Sequence, residues 1–235
     1  MRYKRILLKL SGEVLMGNEG HGIDHAVVAD IAGQIGDVRG LGVEVAIVLG
    51  GGNIYRGKKG EKEGMDRVTG DYIGMVATVI NALVLKDTLV RMGTPAVVQT
   101  ALALERIAEP YDHARARGYL DEGKIVIFAC GTGNPYFTTD TAAALRAVEM
   151  KADVLMKATK VDGVYDRDPE IHADAVFLPE ISYSEVLERD LQVMDLTAIT
   201  LCKENSIPIA VFSIRVRDNL KKVVLGEKVG TIVRR

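Results

Sequence analysis

The chain has 235 residues, 48% of them hydrophobic and 26% charged, with a formal net charge of −2. That length can bury a sizeable core without disulfides or metals, and the balance excludes a disordered or fibrous chain. The near-neutral charge argues against broad electrostatic capture of nucleic acid or of an anionic membrane surface.

Basic residues Arg2, Lys4 and Arg5 lead into an apolar run over 6–8, which Lys9 interrupts too soon for the apolar stretch of a signal peptide. No run of 18 apolar residues occurs, so no membrane span is expected. Cys130 and Cys202 lie far apart without a CxxC partner and read as reduced, buried thiols. The expectation is a cytoplasmic protein.

Residues 5–10 read as a first strand ending at Ser11-Gly12, and 25–41 as a helix closed by Gly40 and Gly42. The near-continuous apolar run 43–49 is a strand buried on both faces. A long helix is expected over 71–92, stopping at Gly93, then a strand at 96–99, a short helix at 111–120 and a strand at 124–130. There follow a helix at 139–150, a strand at 153–156, helices near 184–189 and 195–204, and a strand at 209–212. A helix at 217–225 and a strand at 231–234 complete the chain. This alternation predicts an α/β fold: a largely parallel sheet with helices on both faces, joined by right-handed crossovers. The irregular segments 58–68 and 161–179 read as loops on one domain covering 1–235.

Ligands of open parallel sheets bind beyond the carboxyl ends of the strands, and four strand ends here carry unusual residues. Lys9-Leu10-Ser11-Gly12 places an ammonium in a buried strand, costly unless it meets an anion, beside a glycine that admits close backbone approach. Gly50-Gly51-Gly52 exposes amides suited to phosphate, and Arg56 adds a planar cation. Gly52 to Lys58 spells GxxxxGK, but Lys59 replaces the hydroxyl residue of a Walker A loop, so that reading fails. The stretch from Gly131 to Asp140 offers hydroxyls, amides and a following helix start, with Tyr136 where a dinucleotide fingerprint needs its third glycine. A carboxylate near phosphates would repel them, so Asp140 is there to hold a lysine. The fourth end, from Lys157 to Pro169, carries a second strand-end lysine and Tyr165, able to stack on a base. A cation excess without a histidine–carboxylate or cysteine–histidine pair points to phosphoryl transfer.

These motifs together closely resemble bacterial uridylate kinases, members of the amino-acid kinase fold family. The resemblance runs through KLSGE at 9–13, GGGNIYRG at 50–57, TGDYIGMVATVINALVL at 69–85, GTGNPYFTTDTAAALRA at 131–147, KATKVDGVYDRDP at 157–169, and YSEVL and MDLTA at 183–187 and 194–198. It implies a three-layer α/β/α sandwich and transfer of the γ-phosphate of ATP, carried with Mg2+, to UMP. It implies that Lys9, Lys157 and Asp140 are catalytic, the lysines neutralising the moving phosphoryl group and Asp140 orienting them. Lys9, Leu10, Ser11, Gly12, Gly52, Arg56, Thr159, Tyr165 and Asp168 would contact ATP. Gly51, Asp71, Thr132, Gly133, Asn134, Pro135, Tyr136, Phe137, Thr138 and Thr139 would hold UMP, Asp71 from the start of the long helix. The resemblance further implies a homohexamer activated by GTP and inhibited by UTP, with Gly17, Asn18, Glu19, Gly20, His21 and Gly22 at the GTP site. His21 stands where an aromatic residue is common in the family; a histidine can still stack there, and the expectation is that it brings pH sensitivity to regulation. The rival readings are a kinase of the same fold acting on an acyl group and a non-enzymatic nucleotide or oxyanion store. The GTGNPYFTTD loop opposes the first, and the two lysines oppose the second.

Overall fold

The computed structural model describes residues 2–55, 64–169, 171–172 and 174–235. Arg56 and most of the segment 58–68 therefore lie outside the described residues. Strands β1 (Arg5–Leu10), β2 (Glu44–Leu49), β3 (Ala96–Thr100), β4 (Glu109–Pro110), β5 (Ile125–Ala129), β6 (Val154–Thr159), β9 (Glu180–Ser182), β10 (Ile209–Ser213) and β11 (Thr231–Arg234) form one sheet. Its order is β4-β3-β5-β2-β1-β6-β10-β11-β9, and every pair is parallel except β10 with β11. A separate two-stranded ribbon pairs β7 (Val164–Tyr165) with β8 (Phe177–Leu178).

Both faces of the sheet are covered. On one, the helices α2 (His25–Gly40), α3 (Arg67–Arg91) and α8 (Asn219–Leu225) bring Ile31, Ile35, Leu85, Leu89 and Val224 into one core with Ile6, Leu8 and Leu10 of β1. On the other, α4 (His113–Asp121), α5 (Thr139–Glu149), α6 (Tyr183–Glu188) and α7 (Leu196–Glu204) pack against Leu7, Val48, Phe128 and Leu155. Strand side chains alternate in direction, so Leu7 and Lys9 leave β1 on the α5 side. The three-layer α/β/α sandwich is as expected, and continuous apolar strands are its physical cause: each must bury both faces.

Polar side chains set where the helices begin. Asp24, Asp66, Asp112, Thr138, Ser182 and Asp195 each accept a backbone N–H in the first turn of α2 to α7, and Ser182 with Glu185 completes a capping box. The cap at Asp66 corrects the expectation for α3. The helix starts at Arg67, so Asp71 lies in its second turn rather than at its start. By length and composition α3 is apolar enough to cross a bilayer. Here its apolar residues Met75, Val79, Ala82 and Leu85 belong to the core.

Other differences are short elements. Helix α1 (Gly12–Leu15), β4, the β7–β8 ribbon and β9 have too few residues to carry a periodic signal. Strand β6 extends to Thr159, which puts Lys157 inside the strand.

Candidate active site

β1 and β6 are adjacent and parallel, and their register pairs Lys9 with Lys157. Both side chains rise on the α5 side, where Asp140 occupies the first turn of that helix. Lys9 Nζ lies 2.7 Å from Asp140 Oδ1, and Lys157 Nζ donates to Asp140 Oδ2 at 2.9 Å. Lys157 also donates to the Val193 carbonyl. All three side chains are at least four-fifths buried. Burial pushes the Asp140 carboxyl up, but the charges and hydrogen bonds of Lys9 and Lys157 outweigh it and hold the group below the usual carboxylate value. Burial pulls the Lys157 ammonium below its ordinary value; Asp140 opposes that shift and Lys9 reinforces it. One carboxylate is thus shared by two ammoniums.

The lysine pair lines one cavity, and a second lies against Thr138 and Thr139, beside Asp140 in sequence. The smaller one, of about 160 Å³, is walled by Gly51, Gly52, Asp71, Thr132, Phe137 and Thr138, together with Thr139. The larger one, of about 540 Å³, contains Lys9, Ser11, Lys157, Thr159, Tyr165 and Asp168. Its far wall is the segment from Arg189 to Val193.

The loops around the smaller cavity are held by one stripe of α3. Residues 71, 74, 78 and 81 recur at spacings of three and four, so they share a face. Asp71 Oδ2 accepts the Tyr136 N–H at 2.7 Å, while Arg67 Nε donates to both oxygens of Asp71. Thr78 Oγ1 accepts the Cys130 N–H at 2.8 Å, and Asn81 Nδ2 donates to the Gly50 carbonyl at 2.8 Å. At Gly74 the helix backbone approaches so closely that a Cβ on Gly51 would lie 2.8 Å from the Gly74 carbonyl oxygen. Glycine is required there for packing. At Gly52 the nearest atom to such a Cβ is 3.8 Å away, so the protein itself does not demand glycine and the space is left open.

The sequence-derived candidates distribute as follows. Lys9, Lys157 and Asp140 come together, as do Ser11, Thr159, Tyr165 and Asp168 around the larger cavity. The Leu10 side chain lies in the core beneath the site, and Gly12 is buried against Asn53 and Gly50, so only their backbones face upward. Gly52, expected with the ATP group, lines the smaller cavity instead. Of the Thr132–Thr139 stretch, Thr132, Phe137, Thr138 and Thr139 line that cavity. Gly133, Asn134, Pro135 and Tyr136 form the outer turn, where the Tyr136 ring is 66% exposed with the Arg67 guanidinium 5.2 Å from its centre. Gly17 and Asn18 line a third cavity beside Asp24, and Glu19, Gly20 and His21 are exposed. Gly22 is bonded to Asn53 through both its N–H and its carbonyl.

Asp195, which carries no role in the sequence pattern, is the most connected carboxylate of the site among the described residues. It accepts from the hydroxyls of Thr138 and Thr141 and from the backbone N–H of Thr141 and Ala198. It therefore joins the N-termini of α5 and α7 beneath Asp140. Its signal was the aspartate directly before a helical run, which reads as an ordinary cap. Thr78 and Asn81 were likewise visible only as polar residues on the apolar face of α3.

The amino acid kinase family profile matches residues 4–213. The chain belongs to the amino acid kinase family. Among solved structures, the UMP kinase of Bacillus anthracis is 38% identical, with a TM-score of 0.96 over 100% of this chain and 97% of that one. The UMP kinase of Ureaplasma parvum is 37% identical, with a TM-score of 0.93 over 100% of both chains. The uridylate kinase of Archaeoglobus fulgidus is 31% identical, with a TM-score of 0.77 over 97% of this chain and 99% of that one. For this member of the family, then, the fold is that of a kinase.

Proposed function

We propose that the protein is a UMP kinase, moving the γ-phosphate of ATP reversibly to UMP and releasing UDP and ADP. One observation carries this reading: Lys9 and Lys157, which share Asp140, line the larger cavity, while Thr139, the residue before Asp140, lines the smaller one. The full-length similarity to UMP kinases from two bacteria supports the choice of acceptor.

ATP lies in the larger cavity, its phosphates running past Ser11 and Gly12 toward the lysines, with Tyr165 and Asp168 beside the nucleoside. UMP lies in the smaller one, its phosphate against Gly51 and Gly52 and its sugar and base among Asp71 and the residues Thr132–Thr139. Gly52, on the acceptor side, serves both phosphates. The phosphate monoester of UMP is already ionised near neutral pH, so no general base is needed. An oxygen of that phosphate attacks the γ-phosphorus in line. The bond from that phosphorus to the bridging oxygen breaks, and its electron pair stays on ADP. Lys9 and Lys157 neutralise charge on the moving group, and Asp140 holds them at the distance this requires.

Magnesium is proposed to arrive on the ATP phosphates, where it supplies further charge neutralisation. Asp140 is committed to the lysines, which leaves the ATP phosphates to carry the metal in this reading. By the same resemblance we propose one catalytic domain over 1–235, a cytoplasmic location, and a GTP-activated, UTP-inhibited homohexamer with the effector near Gly17–Gly22. The exposed apolar stripe Tyr72, Ile73, Val76 and Ile80 on α3 supports self-association.

ADP release from Mg-ATP, with UMP, CMP, dUMP, AMP, aspartate and acetylglutamate offered in parallel, tests the proposal. Strong turnover with UMP alone is expected. Turnover only with an acyl acid would keep the fold and overturn the substrate.

A further inference from the structure

Two buried polar side chains take no part in the reading above. Asn81 is fully buried on α3, and Asn53, in the loop after β2, is 3% exposed. Each donates to the other's amide oxygen, at 2.7 Å from Asn81 Nδ2 and 3.0 Å from Asn53 Nδ2. Asn81 spends its second proton on the Gly50 carbonyl and Asn53 on the Gly22 carbonyl, both at 2.8 Å. All four N–H protons are thus used. A primary amide is costly to bury and stable only when paired this completely. Neighbouring α3 residues Ala82 and Leu85 show what plain packing would place here.

The geometry shows what the amides hold. Gly50, gripped through its carbonyl by Asn81, donates its own N–H to the Leu10 carbonyl at 2.9 Å. A Cβ on Gly12 would lie 2.5 Å from Asn53 Oδ1 and 2.7 Å from the Gly50 carbonyl oxygen. The turn Ser11-Gly12 therefore rests directly on the asparagine pair, and the turn Gly51-Gly52 hangs from it. Through Gly22, the 17–22 segment is tied to the same point.

We propose that the Asn53–Asn81 pair is a positioning device for phosphoryl transfer: it sets the spacing between the turn Ser11-Gly12 and the turn Gly51-Gly52 without touching either nucleotide. The inference rests on the kinase reading and deepens it. Donor and acceptor phosphates must meet at near-attack distance, and an error of about 1 Å can cost ~100-fold in rate. Losing the pair's geometry should therefore lower kcat more than it raises either KM.

Asn81→Asp tests this with little change of shape. An ionised carboxylate there cannot donate and faces the Gly50 carbonyl and Asn53 Oδ1, both acceptors. A protonated one restores a donor, and burial raises its pKa. Among the described residues, the charged groups on the elements joined to the pair include Glu13 on α1, paired with Lys160, Asp24 after the 17–22 segment, and Asp71 on α3, paired with Arg67, while Lys9 leaves β1 on the opposite face. Relative to wild type at each pH, kcat should fall at least ~10-fold near about pH 8 and recover toward about pH 6, with KM for ATP and UMP within ~3-fold. Wild-type kcat in a folded variant at both pH values overturns the proposal, and so does a loss identical at both. Should Asn81→Asp fail to fold, Asn81→Ser replaces it. Lower kcat with both KM values retained then supports the device, and unchanged kcat overturns it. An inactive wild-type control sinks the kinase reading itself, whereas an active wild type beside an unaffected variant sinks only the role of the pair.

Discussion

The two sides of the lysine pair are built differently. On the side proposed for the acceptor, the loops after β2 and β5 are bonded at Gly50, Cys130 and Tyr136 to a single helix face, through Asn81, Thr78 and Asp71. On the donor side, the walls are the β7–β8 ribbon, which lies outside the main sheet, and the segment from Arg189 to Val193. The ribbon is held by the edge-on contact of Tyr165 with Phe177, by the Thr231 hydroxyl bonding Val164 and Leu178, and by the ion pair of Arg167 with Asp174. Exposed ion pairs of that kind add little stability. The proposed acceptor site is therefore pre-organised by its bonds to a core helix, and the proposed donor site is the cheaper one to deform.

The largest effect should come from breaking the boundary between the two sides. Lys9→Ala or Lys157→Ala should each lower kcat by roughly 100-fold or more, with far smaller changes in nucleotide affinity. Steady-state kinetics beside equilibrium binding checks this, and normal turnover in both variants would remove the electrostatic mechanism.

Next in size is Asp195→Ala, which frees the Thr138 and Thr141 hydroxyls and uncaps α7. A loss of about 1–2 kcal/mol in stability is expected from the cap alone, and kcat should fall because Asp140 loses its anchored helix end. Denaturant unfolding and kcat on the same preparation decide it; an unchanged kcat would make Asp195 purely structural.

Thr78→Val sharpens the comparison from the acceptor side. It leaves the Cys130 N–H without its acceptor, at about 1–3 kcal/mol, and should raise KM for UMP while sparing KM for ATP. Tyr165→Ala, its donor-side counterpart, should do the reverse, raising KM for ATP by only a few-fold. If both variants moved the same KM, the assignment of the two cavities would be wrong.

The smallest effect concerns pH. The Lys157 ammonium is depressed in the folded protein, so it loses its proton before an unfolded lysine would. Between its folded value and the ordinary 10.5, the unfolded chain binds more protons. Stability from this group therefore rises with pH in that window. Turnover, which uses the charge, should fall in the same window. A kcat profile beside thermal melts should show activity failing while the fold persists, and coincident loss of both would contradict this. At the acid end the sign is opposite. Asp140 is depressed below 3.8, so its contribution is present above that value and disappears as pH falls through the folded one.

Much was legible in the sequence because it is written locally. The apolar runs at 5–10 and 43–49 announce strands buried on both faces, and the long periodic segment announces α3. Lys9 and Lys157 announce themselves as charges where burial is expensive, and Gly50-Gly51-Gly52 as backbone without side chains. The chemistry class and the outline of the sandwich follow from these alone. The tertiary structure decided what depends on partners distant in the chain. Lys9 and Lys157 face one carboxylate only because β1 and β6 pair in a register that aligns them under α5. Asp195 differs from an ordinary helix cap only because α5 brings two threonine hydroxyls to it. Asn53 and Asn81, 28 residues apart, become a unit only when the loop after β2 folds over α3. Periodicity records which face of an element is buried; it carries no record of which buried groups meet there, since that is set by the crossing of elements in space.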